Sequence, residues 1–236
     1  MDVESDDPTA GNELFVTDDG SHSLRSNRFA VPYHSRHGAV QESRHVFIQA
    51  GLEARMTKGD LTQINVLEMG LGTGLNAVLT RQYAAQHPDT RFGYYAFERY
   101  PIKEAAAGKL NYPSTLSVAA DYFIRFHTCP AGDVHEFDFN FSFAKSETDF
   151  LEGLPSNFPK GEFDVIFYDA FAPNSQPELW SVAALQQCYD ALQDGGVFVT
   201  YCAKGQFKRD LRSVGFTVEA LPGPPGKREM TRAWRT

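Results

Sequence analysis

Charged side chains interrupt every long apolar stretch of the chain. No run of about 20 apolar residues remains, which excludes a membrane-spanning helix. Cysteine is scarce. Cys129, Cys188 and Cys202 form neither a C-x-x-C pair nor a metal-ligand spacing, so a disulfide scaffold and a structural zinc site are excluded and a reducing, cytoplasmic compartment fits. Met1 to Asp7 carry acids and no Lys or Arg, so no signal or transit peptide is expected, and the sequon Asn140-Phe-Ser carries no weight without one. No G-x-x-x-x-G-K-[ST] phosphate loop and no G-x-S-x-G nucleophile elbow occurs. His34, His37 and His45 lack the Cys or carboxylate partners that would complete a metal site, so no metal is expected. What remains is ordinary for a soluble globular chain: 236 residues, 42% apolar and 22% charged, with 19 Phe and 10 Tyr. A chain of this length buries a core without staples.

The net charge of −8 argues against a nucleic-acid partner until its distribution is read. Residues 1–20 hold seven acids and no Lys or Arg, leaving the body at −1. Residues 201–236 carry +5, with eight bases against three acids, and residues 21–60 carry +3. Two basic flanks around a neutral middle would suit phosphates, although a solvated basic face gives the same count. The expected organisation is an acidic, mobile start (1–20), an N-terminal extension packed on the catalytic domain (21–60), and that domain itself (61–236).

Within 21–60, Gln41–Ala54 reads as a helix with Val46, Phe47 and Ala50 inward. Beyond it the pattern is regular. Strands are expected at Ile64–Met69, Arg91–Glu98, Phe137–Phe143, Phe163–Tyr168, Val197–Cys202, Phe216–Leu221 and Met230–Trp234. Helices are expected at Leu75–Ala85, Ile102–Leu110, from Pro177 to about Gln193, and at Gln206–Val214. Alternating strands and helices predict an α/β fold, a mostly parallel seven-stranded sheet covered on both faces. The last two strands have no helix between them and should form an antiparallel hairpin. No internal repeat or low-complexity tract appears.

A strand, Gly70-Leu-Gly72-Thr-Gly74 and then a helix is the arrangement of a nucleotide-type cofactor site. From Gly72 the segment even matches the dinucleotide pattern G-x-G-x-x-A, which alone is weak. Glu68, two residues before the first glycine, separates the candidates. A pyrophosphate beside that carboxylate is unfavourable, whereas S-adenosylmethionine brings an ammonium and a sulfonium and no phosphate. Glu98 ends the next strand, where a carboxylate accepts both ribose hydroxyls. Asp149 follows the FDFNFSF stretch and is placed for the adenine amino group. Each taken singly is also readable as a surface acid; three acids at successive strand ends favour a ligand crevice.

Asp169 ends the apolar run FDVIFY and leads into Ala-Phe171-Ala-Pro173. A protonated amine has no lone pair with which to attack a sulfonium methyl, and a carboxylate there orients the amine and takes its proton. The competing reading is a turn or N-cap aspartate. Phe171 and Trp180 are the aromatics available to stack on a planar base, Trp180's place in a helix favouring the core. Lys227 and Arg228, in the loop of the last hairpin, suit phosphates or are simply a charged turn. These residues alone reach a methyltransferase acting on a polar acceptor. A small-molecule amine methyl- or aminopropyltransferase, an NAD(P)-dependent oxidoreductase and a non-catalytic RNA-binding module are the alternatives.

Longer stretches carry a resemblance. They are Gly38-x-x-x-Glu42-Ser43-x-x-Val46-Phe47, VLEMGLGTGLNA, the strand ending in Glu98, Asp149-Phe-Leu-Glu, YDAFAPNSQPELW, GGVFVTYCAKG, Gly215-Phe216 and Gly226-Lys-Arg-Glu-Met. Together they span nearly all of residues 20–236, and the chain resembles the methyltransferase half of MnmC and its single-domain form MnmD. The resemblance implies a Rossmann-like class I fold and transfer of a methyl group from S-adenosyl-L-methionine. The implied acceptor is 5-aminomethyl(-2-thio)uridine at the tRNA wobble position, giving 5-methylaminomethyl(-2-thio)uridine. It implies the tRNA anticodon region as partner and, since the chain stops at Thr236, a separate enzyme that supplies the aminomethyl group. Within the matched stretches Leu71, Phe150 and Glu42 join Glu68, Gly70, Gly72, Gly74, Glu98 and Asp149 on the cofactor side. Pro173 joins Phe171, Lys227 and Arg228 on the substrate side, with Asp169 as the catalytic residue.

Overall fold

The computed structural model describes residues 12–59 and 61–236. Among the described residues ten strands form two sheets. Glu13–Val16 (β1) and His22–Arg25 (β2) pair antiparallel as a small ribbon. The main sheet contains Gln63–Met69 (β3), Arg91–Phe97 (β4), Val134–Asp138 (β5), Phe141–Ser146 (β6), Phe163–Tyr168 (β7), Leu192–Thr200 (β8), Thr217–Pro222 (β9) and Glu229–Trp234 (β10). Its order is β5-β6-β4-β3-β7-β8-β10-β9. The five strands from β6 to β8 run parallel, and β10 pairs antiparallel with both β8 and β9.

Strand β7 is buried along its whole length and β3 from its second residue, because helices cover both faces; hence their unbroken apolar runs. The sequence order reverses at β3, with β4 on one side and β7 on the other. Met69 pairs with both Phe97 and Tyr168, so the chain leaves three neighbouring strands at one level, at Gly70, Glu98 and Asp169. In open α/β sheets this is where ligands bind.

The sheet has eight strands where seven were expected. FDFNFSF keeps its period yet turns at Phe139 and Asn140, and β5 and β6 are the two arms of a hairpin. Asn140 causes the break. Its buried side-chain amide donates to the carbonyls of Ala84, His87 and Thr90, tying the turn to the end of the helix Leu75–Ala84 and the loop that follows it. Three other expectations are corrected. The helix expected at Ile102–Leu110 is reduced to Glu104–Ala107. The helix expected from Pro177 is a single 3-10 turn, Pro177–Trp180, followed by Val182–Ala191; Ser181, extended between them, caps the second by accepting from the Ala184 amide. Helices at Ala120–Thr128 and Phe150–Asn157 were not anticipated.

Of the acidic start expected to be mobile, residues 1–11 lie outside the described residues. Residues 13–16 are strand β1, and the following turn is fixed by Asp19, which accepts from the amides of Ser21 and Gln41. That second bond places a carboxylate at the start of a long helical stretch, where it opposes the helix dipole. The stretch runs without a break through Ala39–Ser43, a π-type segment Arg44–Glu53, and Ala54–Met56. It lies on the sheet. Phe47 packs against Phe167, and a Cβ at Gly51 would come within 2.8 Å of Val199. Arg55 and Asp164 form an ion pair at 2.9 Å in which both side chains are buried. Cys129, Cys188 and Cys202 are buried and unpaired. No helix among the described residues is long and apolar enough to cross a membrane.

Candidate active site

A cavity of about 610 Å³ opens over the carboxyl ends of β3, β4 and β7. Its floor is the glycine turn. Gly70 has φ +91°, and a Cβ there would lie 2.9 Å from the Asp169 carbonyl oxygen, so only glycine lets the two strand ends meet. Gly72 has φ +51° and lies under the Tyr33 ring. Gly70, Leu71 and Gly72 face the cavity, whereas Gly74 starts the helix Leu75–Ala84 and abuts His127.

The turn's amides already have partners. Gly70 and Leu71 donate to the Phe97 carbonyl, Gly74 to the Leu71 carbonyl, and Gly72 to Glu98 Oε2 at 2.8 Å. Glu98 Oε1 accepts from the Tyr100 amide at 2.9 Å. Burial raises the Glu98 carboxyl above the usual range, and these two amides hold it back. The loop amides are therefore engaged within the protein, and a carboxylate occupies the place a pyrophosphate needs. Glu42, Glu98, Asp149 and Asp169 all face the cavity. The chemistry of this donor set suits a cationic, phosphate-free nucleoside, and the volume lies within the range of about 300–1,000 Å³ typical of cofactor-sized sites. S-adenosyl-L-methionine fits. Glu98, Asp149 and Phe150 share one part of the cavity wall.

Asp149 reaches this position as a helix cap. It accepts from the Leu151 amide at 2.9 Å and pairs with Arg99 at 2.6 Å. Asp169 is half-buried at the exit of β7, and Asn76 donates to its Oδ2 at 3.0 Å. Burial and the nearby Glu42 carboxylate push Asp169 up to about 7, against the pull of Asn76 and Lys227. A base titrating near neutrality suits proton transfer at working pH.

Glu68 differs from the expectation. It is fully buried, does not face the cavity, and accepts from Asn76 behind Asp169. Both faces of β3 are covered, and the face bearing Val66 and Glu68 lies against the sheet's helices rather than the crevice. Pro173 and Arg228 also lie off the cavity wall. Trp180 is core, packed on Tyr168 and Phe207, and its indole N–H donates to the Phe171 carbonyl at 2.8 Å.

Lys227 faces the cavity but is held by Glu42, and its ammonium lies over the Tyr201 ring. Sequence reasoning missed this pairing, and with it the aromatic wall of Phe29, Tyr33 and Tyr100. Phe29 and Tyr33 meet Phe171 at ring separations of 4.8 and 5.0 Å, and Arg28 lies 4.1 Å over Tyr100. Density of aromatics in 28–36 was the available signal. The three histidines of that region go separate ways, His34 to Ser23, His37 to Asp18 and His45 to the Pro222 carbonyl. No metal-binding group of His, Cys, Asp and Glu occurs among the described residues.

The strand reversal and the acid-lined cavity over the glycine turn are features of the Rossmann-like methyltransferase fold, and residues 134–236 match a family described as S-adenosyl-L-methionine-dependent methyltransferase. The chain is 31% identical over 226 residues to the tRNA 5-methylaminomethyl-2-thiouridine biosynthesis bifunctional protein MnmC of Aromatoleum aromaticum, covering 93% of itself and 34% of that protein. With the MnmC of Leptospira borgpetersenii it is 29% identical over 213 residues, covering 32% of that protein. It thus spans about a third of these curated relatives. The crystal structure of MnmC2 from Aquifex aeolicus matches with a TM-score of 0.76 at 25% identity, over 96% of this chain and 70% of that one. A spermidine synthase bound to the transition-state analogue AdoDATO shares the fold, with a TM-score of 0.54 at 18% identity, over 95% of this chain and 73% of that one. Over nearly its whole length the chain is similar to about a third of each of these MnmC proteins in extent, and it shares the fold of MnmC2.

Proposed function

We propose that this domain N-methylates 5-aminomethyl(-2-thio)uridine at the wobble position of tRNA, giving 5-methylaminomethyl(-2-thio)uridine. The observation that carries the reading is Asp169, a carboxylate poised near neutrality at the cavity floor, in a chain similar to MnmC. Glu98 holds the donor's ribose, Asp149 and Phe150 border its adenine, and the Gly70–Gly72 turn lies against its amino-acid part. When bound, the donor supplies a methyl group activated by a sulfonium. Asp169 accepts a hydrogen bond from the substrate ammonium and then its proton, which frees the nitrogen lone pair. Asn76 fixes the carboxylate during the transfer. Phe171, backed by Phe29 and Tyr33, offers the uracil a flat apolar wall.

With Lys227 engaged by Glu42, phosphate contact from the last hairpin falls to the exposed Arg228. The anticodon region is the partner, a cytoplasmic location follows from that partner, and the primary amine must be in place on the uridine before this domain acts. The test is incubation with methyl-labelled S-adenosyl-L-methionine and tRNA bearing 5-aminomethyl-2-thiouridine. The expected result is label in the tRNA and one added methyl on the modified nucleoside. Absence of label overturns the reading, and label in a small free amine replaces it.

A further inference from the structure

Glu68 is the one acid of the expected cofactor set that the fold hides completely. The cavity wall includes Asn76 and Asp169 but not Glu68, whose exposure is 0%. The Asn76 Nδ2 group donates to Glu68 Oε1 at 2.8 Å and to Asp169 Oδ2 at 3.0 Å. One neutral amide is thus clamped between two carboxyl groups, with both of its hydrogens engaged. Glu68 Oε2, Asn76 Oδ1 and the Tyr94 hydroxyl are buried and lack partners.

We propose that Glu68 is a positioning residue and not a cofactor ligand: through Asn76 it forms a buried bracket that fixes the Asp169 carboxylate at the cavity floor. The proposal rests on Asp169 meeting the acceptor amine. Two ionised carboxylates around one neutral amide repel each other, and among the described residues no cation acts on the inner one. The buried Glu68, facing Asp169, Glu98 and Tyr94, has its carboxyl raised well above the usual range, by burial first and by the Asp169 charge next. Asp169 in turn faces Glu42 and Lys227 at the cavity and the Tyr112, Tyr94 and Tyr201 rings around it. The inner acid therefore keeps its proton and the outer one titrates. As a neutral acid Glu68 also gains an O–H donor, for which the buried Tyr94 hydroxyl that it faces is an acceptor. A neutral anchor holds the Asn76 amide in one orientation, and that orientation aims the donor at Asp169.

The experiment compares wild type, Glu68→Gln and Glu68→Leu in three measurements: donor affinity by calorimetry, kcat and KM on aminomethyluridine tRNA across pH, and the infrared carbonyl band of protonated carboxylic acid in donor-free protein. Glu68→Gln, which keeps a neutral polar anchor, is expected to leave donor Kd, kcat and the acid limb of the pH profile unchanged while removing one protonated-acid band. Glu68→Leu is expected to keep Kd and KM and to lower kcat on the order of 100-fold, the effect of misplacing a reacting group by about 1 Å. If Glu68→Leu does not fold, Asn76→Ala opens the bracket from the other side and the same fall in kcat at constant Kd is expected. A tenfold or greater rise in donor Kd in Glu68→Gln, no lost band, or full kcat in the bracket-opening variant overturns the proposal. A wild-type protein that transfers no methyl to the tRNA removes instead the acceptor reading of Asp169, and the positioning role with it, whatever the affinity and spectrum show.

Discussion

The Lys227 ammonium lies 2.5 Å from the Glu42 carboxylate, joining the last hairpin to the N-terminal helical stretch across the cavity wall. Glu42 is buried and Lys227 about a third exposed. Lys227→Met leaves a carboxylate without its counter-ion. Breaking a fully buried pair costs about 3–5 kcal/mol, and the exposure of Lys227 lowers the expected loss to about 2 kcal/mol. Urea unfolding of Lys227→Met checks this, and Glu42→Gln on top of it should recover part of the loss. Because Lys227 also pulls the Asp169 titration downward, the acid limb of kcat/KM is expected to move to higher pH in Lys227→Met.

In the proposed reaction Asp169 acts as a carboxylate. Turnover is therefore expected to fall as pH drops through about 7, where it takes up a proton. Asp169→Asn should lower kcat by about 100-fold or more while leaving donor affinity nearly unchanged, as calorimetry will show. Stability runs the other way. A carboxyl raised from 3.8 to about 7 binds a proton in the folded state that the unfolded chain has released, so native stability declines as pH rises between those values. Asp169→Asn is expected to melt higher than wild type above pH about 7, by about 1–2 kcal/mol, and to lose that advantage below pH about 4.

Gly70→Ala places a methyl 2.9 Å from a main-chain oxygen at φ +91°, and backbone on the Asp169 side cannot yield as a side chain would. A loss of about 2 kcal/mol or more is expected on thermal unfolding, together with weakened donor binding, because the turn that receives the donor must open.

Trp180→Phe keeps the ring packing on Tyr168 and Phe207 but removes the N–H that holds the Phe171 carbonyl. Stability should fall by only about 1 kcal/mol. KM for the tRNA should rise while donor affinity stays constant, since Phe171 loses its tether and the donor side is untouched; steady-state kinetics distinguishes this from a general loss of fold.

Much of this was legible from strand ends. The runs INVLEM and FDVIFY are apolar because both faces are covered, and each is closed by a residue no buried strand would choose, Gly70 and Asp169. The acids at positions 98 and 169 could therefore be placed on one rim before any coordinates. Glu68 could not be oriented in the same way. In a strand buried on both faces, period says nothing about which side meets the crevice. The turn at Asn140 was hidden because alternation continues through it, and its cause is three carbonyls more than 49 positions away in the chain. The Glu42–Lys227 contact joins residues 185 positions apart, beyond the reach of any local pattern.

That last contact bears on how the protein is made. Domains begin to organise during synthesis, N-terminal parts first. The strands β3 to β8 and the rim at Gly70, Glu98 and Asp169 can assemble while residue 227 is still inside the ribosome, but the Glu42–Lys227 contact cannot. A nascent chain at that stage holds the buried Glu42 carboxylate near Asp169 without its counter-ion, and this side of the cavity is completed only when the final hairpin docks.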